Sequence, residues 1–238
     1  MKAIELAEDI RTYCRANADK AQVKKYARFF TEGYDAYGLS KEAFQNKVRS
    51  LVNEKKVTMQ QVLRAGKRLV KSGKYEETNF AICLLAEFSD RFDDTILPAV
   101  EQWFQVGIVN WAHCDILCGT LMPPLFEKKI ILLEDLSDWR TAKNKYQRRA
   151  VPVAMLHLLK TAKSFTLLFA FLEPLMTDSK EKVQQGLGWF LREAWKIKPK
   201  ETETFLLKWK DKSPRIIFQY ATEKMTAEQK KRFKKTRT

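Results

Sequence analysis

Apolar residues recur at three- and four-residue spacing along almost the whole chain, as in Ile82, Leu85, Ala86 and Phe88, or Phe205, Leu206 and Trp209. That period places them on one face of a helix, and alternating strand-like stretches are scarcely present, so the chain is predicted to be all-α. Helix punctuation agrees. Ser40 precedes KEAFQNKVRSL, Thr58 precedes MQQVLRAGKRLV with Gly73 just after, Pro199 opens KETETFLLKW and Ser213-Pro214 opens RIIFQYATEK. Roughly a dozen helices of ordinary length joined by short turns predict antiparallel pairs stacked side by side. The expected fold is therefore an α-solenoid with HEAT/armadillo-like repeats and a concave basic surface, although no exact sequence period is visible. A single domain over residues 1–238 is expected, with about 226–238 forming a basic C-terminal helix frayed into a flexible arm.

Composition narrows the partner. Forty-four Lys and Arg stand against 29 Asp and Glu, a formal charge of +15, which creates a field attractive to polyanions. Nucleic acid is the leading class, with anionic lipid and acidic proteins as the other classes such a charge serves. No run approaches the roughly 20 apolar residues of a membrane span. Cys14, Cys83, Cys114 and Cys118 show no paired framework and no signal peptide precedes them, which predicts reduced thiols in a soluble, cytoplasmic, nucleoid-associated protein.

The positive charge is concentrated. Lys47, Arg49, Lys55, Lys56, Arg64, Lys67, Arg68, Lys71 and Lys74 are opposed within their run by Glu54 alone. Arg140, Lys143, Lys145, Arg148 and Arg149 follow with no acid between them. Either run alone can be a solvated outer face, but two acid-poor runs in different helix pairs are expected to form a continuous phosphate-binding surface.

Three segments combine polar and aromatic residues beyond the needs of packing. In VNWAHCDILC, Trp111 and Asp115 are four residues apart and share a helix face, where a carboxylate beside an indole suits a cationic transition state. In NKYQRRAVPVAML, Arg148 and Arg149 point about 100° apart on a helix kinked or started near Pro152. One of the two can anchor structure while the other reaches a phosphate. In GLGWFLREAWK, Gly186 and Gly188 allow close backbone approach and Trp189 presents a flat surface.

These three segments, with the preceding KVQQGL, resemble the AlkD-like DNA alkylation repair proteins, HEAT-like-repeat glycosylases acting on 3- and 7-alkylated purines. The resemblance runs from about residue 80 to about 220, and GWFLRE is its most specific block. It implies Asp115 as the catalytic carboxylate, Trp111 and Trp189 as aromatic walls, and Arg149 as the residue holding DNA beside the lesion. Arg148 is the second choice, because the family's arginine directly precedes a small apolar pair, here Ala150-Val151. Lys145, Lys143 and Arg140 complete the expected DNA-binding set, and Arg192 with Glu193 is expected to form a structural pair. KKYARFFTEGYDAYGLSKEAF matches the family's opening helices only in outline.

The chemistry is consistent with those roles. Alkylation at the 3 or 7 position makes the purine a cationic leaving group that needs no general acid. The deoxyribose gains oxocarbenium character, which a nearby carboxylate stabilises while orienting water. Trp faces attract cations by about 0.5 to 2 kcal/mol. No metal, organic cofactor or Schiff-base lysine is implied, a monomer suffices, and the resemblance implies that the lesion is sensed without a deep base pocket. Two alternatives stay open: a catalytically weak protein of the same fold that binds branched or damaged DNA, and a helical-repeat scaffold for an acidic protein. His113, Cys114 and Cys118 are a weak metal signature, and His157, in an apolar helix, reads as a core residue. Trp103, Trp195 and Trp209 read as packing residues.

Overall fold

The structure, a computed structural model, describes residues 2–236. Among them are fourteen α-helices and no strand, so the chain is an all-helical, solenoid-type fold of stacked helices. It divides into two compact units, Met1–Ile131 and Leu132–Thr238.

The first unit holds α1 (Ala3–Ala16), α2 (Lys20–Ala27), α3 (Lys41–Arg49), α4 (Met59–Lys71), α5 (Tyr75–Ala86), α6 (Ile96–Val106), α7 (Trp111–Thr120) and α8 (Met122–Glu127). The expected caps are present: Ser40 Oγ accepts from the Ala43 amide at 3.1 Å, and Thr58 with Gln61 forms a capping box at the start of α4. Gly73, at φ 75°, turns the chain from α4 into α5. These two helices pack as an antiparallel pair. α4 also packs on α1 and α6, while α5 packs on α3 and α7, so the unit has two layers with α4 and α5 back to back. Leu6, Ile10, Leu69, Phe80 and Trp103 are fully buried between them, each burial stabilising by about 1.5 to 3 kcal/mol.

The second unit holds α9 (Lys145–Ala154), α10 (Thr166–Leu172), α11 (Glu181–Ile197), α12 (Pro199–Trp209), α13 (Arg215–Ala221) and α14 (Ala227–Lys231). α11 is its hub and packs on α9, α12 and α13. Pro152 lies inside α9, which ends at Ala154. Gly188 sets the crossing of α11 with α13, since a Cβ there would stand 2.4 Å from Tyr220 Cβ and 2.7 Å from the Ile217 carbonyl oxygen. Gly188→Ala is therefore expected to cost about 1 to 3 kcal/mol despite the helix propensity of alanine. Urea unfolding measures it, and an unchanged midpoint would contradict the close packing.

The basic helix expected after 226 is present as α14, which is followed by Phe233, only 1% exposed, whose carbonyl accepts from Arg215 Nη1 at 2.8 Å. Asp211 accepts from the Thr236 amide at 2.7 Å. One aromatic anchor and these bonds suffice to hold a short basic tail, while Arg237 and Thr238 lie outside the described residues. His157 is not a core residue; it is half-buried in the 3₁₀ turn His157–Lys160 after α9, because the chain leaves α-geometry just past Pro152.

Candidate active-site helix and its supports

α7 carries two of the predicted site residues. Its N-cap is Asn110, whose Oδ1 accepts from the His113 amide at 2.9 Å and so sets where the helix starts. Trp111 and Asp115 follow one turn apart, both half-buried. The indole is held on two sides. Its Nε1 donates to the Phe29 carbonyl at 3.2 Å, and its ring stacks on Phe30 at 5.4 Å between centroids and 18° between planes. Phe30 stacks in turn on Tyr34 at 4.4 Å, and Tyr75 meets Phe30 edge-on at 5.6 Å.

His113 fastens the same helix from inside. It is fully buried, stacks on Tyr75, and brings Nδ1 within 3.0 Å of Asn110 Nδ2 and Nε2 within 3.0 Å of the Tyr75 carbonyl. The Asn110 oxygen is already engaged by the amide, so its Nδ2 donates to Nδ1, and Nε2–H donates to the carbonyl. Both ring nitrogens are thus used within the protein, which gives His113 a structural part rather than a metal-binding one. Among the described residues no group of three potential ligands gathers. Burial pushes the His113 pKa down to about 4. The unfolded chain takes up a proton near 6.5, before the folded one does. The stability carried by the neutral ring is complete above about 6.5 and is lost as pH falls toward about 4. Between pH 7 and pH 5 this loss is about 2 kcal/mol. Urea titrations should show it in the wild type and much less of it in His113→Gln, and equal losses would assign it elsewhere.

The segment that supplies Phe29 and Phe30 is held by two buried acids in the first turn of α5. Glu76, 4% exposed, accepts from the amides of Tyr37 at 2.8 Å, Gly38 at 2.7 Å and Leu39 at 3.2 Å. Glu77, 2% exposed, accepts from Tyr37 Oη at 2.7 Å and Arg11 Nε at 2.9 Å. Burial and the Glu77 contact push the Tyr37 hydroxyl pKa up, keeping it a proton donor. Gly38 has φ 85°, and a Cβ there would meet the Asp19 carbonyl oxygen at 2.1 Å, so only glycine fits the turn that presents its amide. Beside these groups lies a cavity of about 310 Å³ walled by Phe30, Tyr34, Phe44 and Tyr75. None of these supports was read from the sequence. Its signal was the aromatic density of KKYARFFTEGYDAYG, which has no helical period.

The other residues predicted for the site stand on the second unit. Trp189 and Trp195 are both half-buried on α11, like Trp111 on α7, and Trp195 Nε1 donates to Glu203 at 3.1 Å, whereas Trp103 is 1% exposed, as a packing residue is. The basic run divides. Arg149 is 5% exposed, its Nη1 donates to the Lys182 carbonyl at 2.7 Å, and its stem lies 3.1 Å from where a Cβ of Gly186 would be. Arg148 binds Asp178 with Nε at 2.6 Å and Nη2 at 3.3 Å, and donates to the Ala142 carbonyl at 2.7 Å. Arg140 donates to the Ser137 and Phe171 carbonyls. Lys143 is exposed and Lys145 half-buried over the Tyr146 ring. Arg192 pairs with Glu193 at 3.0 Å and with Glu223, the structural role expected of it. None of the four cysteines is in a disulfide, and burial pushes Cys14 up to about 12 and Cys83 up to about 11, so both are protonated packing groups.

Fold and charge define the class: a basic, all-helical solenoid-type protein in which, among the described residues, no helix is long and apolar enough to cross a membrane. The chain belongs to the DNA alkylation repair enzyme family, which matches residues 10–225. It is similar in fold to a solved structure described as a predicted DNA alkylation repair enzyme from Enterococcus faecalis, with a TM-score of 0.73 and 15% identity over 89% of this chain and 98% of that one. No curated protein matches the chain.

Proposed function

We propose that this protein is a monofunctional DNA glycosylase that removes cationic 3- and 7-alkylated purines from duplex DNA. The observation that supports it most is the placing of Trp111 and Asp115 on one face of α7, with the indole fixed by Phe29 and Phe30. In this reading the alkylated base departs neutral as its bond to the sugar breaks, taking the bonding electrons that cancel its charge. The carboxylate of Asp115 stabilises the oxocarbenium sugar and orients the water that attacks it. The indole of Trp111 attracts the same developing cation, and Trp189 is the second aromatic group assigned that part in this reading. An uncharged purine gains neither advantage, so discrimination follows from charge. Lys143 and Lys145 contact phosphates, and the protein works as a cytoplasmic monomer on DNA.

One observation favours a second reading, binding of branched or damaged DNA without excision: the guanidinium expected to hold DNA beside the lesion, that of Arg149, is buried and bonded to the Lys182 carbonyl. Release of free base from a duplex carrying a single 7-methylguanine separates the two. The glycosylase reading expects time-dependent release at low salt. Binding of that duplex without release of 7-methylguanine or 3-methyladenine would replace it with the second reading.

A further inference from the structure

The cations of α4 do not serve the helix that carries Asp115. Arg64, Lys67, Arg68 and Lys71 fall at i, i+3, i+4 and i+7, all exposed, so they form one stripe about 10 Å long. α4 packs with α1 and α6 in the layer opposite the one that holds α5 and α7. The stripe edges a groove of about 820 Å³ between these three helices, and the rest of its lining is mostly apolar, with Ile4, 51% exposed, Leu63, Pro98 and Ala99 beside the polar Thr95 and Gln102. Gly66 lets α4 sit close against Trp103 below the groove, since a Cβ there would lie 2.5 Å from the indole ring.

The stripe repels itself along its own helix, which contains no acid, and among the described residues none of its four members pairs with a carboxylate. Several cations elsewhere are compensated: Lys47 and Lys55 both pair with Asp9, Lys196 with Glu193, and Arg232 with Glu203. A row of uncompensated charge beside exposed apolar surface calls for a partner with both properties. Duplex DNA would neutralise the charges and leave Ile4 and its neighbours in water. A helix with Glu at i, i+3, i+4 and i+7 and a neighbouring apolar stripe covers both.

We propose that the α1/α4/α6 groove docks an acidic amphipathic helical segment of a partner protein, on the layer away from α7. The proposal does not depend on glycosylase activity. Its test uses a fluorescein-labelled peptide of about 18 residues, with Glu along one helical stripe and Leu along the next, titrated with the full chain by anisotropy. Saturable binding is expected, weakened at least about 10-fold when Arg64, Lys67, Arg68 and Lys71 are all changed to Gln. Ile4→Ser should weaken it several-fold. Changing the exposed Lys230, Lys231, Lys234 and Lys235 to Gln, an equal loss of charge, should weaken it much less. Equal loss from that control set, or no response to Ile4→Ser, would mean that charge alone attracts the peptide and would overturn the proposal. Displacement of the peptide by a 20-base-pair duplex, with the α4 variant losing duplex affinity, would assign the groove to DNA instead.

Discussion

Asp115→Asn is expected to bind alkylated duplex as the wild type does and to release base at least about 10²-fold more slowly, the size associated with removing a positioned electrostatic stabiliser. The substitution keeps the shape of the side chain and removes its charge, so the loss falls on the transition state and leaves ground-state binding in place. Single-turnover release of 7-methylguanine and binding to the same duplex at one salt concentration measure the two quantities separately. A variant that releases base within threefold of the wild-type rate would remove Asp115 from the chemistry, whereas equal loss of binding and rate would make its role structural. Trp111→Ala is the companion, expected to lose less, because a cation over an indole is worth about 0.5 to 2 kcal/mol.

Glu76→Ala is expected to lower stability by about 3 kcal/mol and to reduce base release through the aromatic stack. Three amides lose one charged acceptor, and the Gly38 amide, bonded at 2.7 Å in the interior, is left without one. The turn it fixes precedes α3, and the chain just before that turn supplies Phe29 and Phe30 to Trp111. Urea unfolding gives the first quantity. The second is expected as a fall in single-turnover rate beyond what the unfolded fraction explains, partly restored by Glu76→Gln, which keeps one acceptor oxygen. A Glu76→Ala protein within about 0.5 kcal/mol of wild type would mean that the turn holds itself.

The helices were legible because caps and apolar periods are local. Ser40, Thr58 and Pro199 start helices where their side chains predict, and Gly186 and Gly188 give the close approaches that glycines in a helix suggest. The pair of Trp111 and Asp115 was equally readable, since four-residue spacing fixes a shared face. What could not be read is what depends on distant partners. Glu76 looks like an ordinary acid in a first helical turn until residues 37–39 fold onto it. Arg148 looks like a phosphate ligand until Asp178, thirty positions on, takes its guanidinium. In the tail, the pattern of the lysines hides the single buried Phe233.

Those internal arginine bonds change what a net charge means for this molecule. Arg11, Arg140, Arg148, Arg149, Arg192 and Arg215 act as forked braces that tie carboxylates or carbonyl oxygens from separate elements, work for which a planar guanidinium is suited and a lysine ammonium is not. Where the charge faces water it rests largely on lysines, such as the exposed Lys143, Lys230, Lys231, Lys234 and Lys235. The positive surface is thus carried largely by lysines on a framework braced by arginine, so charge can be removed from the surface without loosening the bonds that hold the interior.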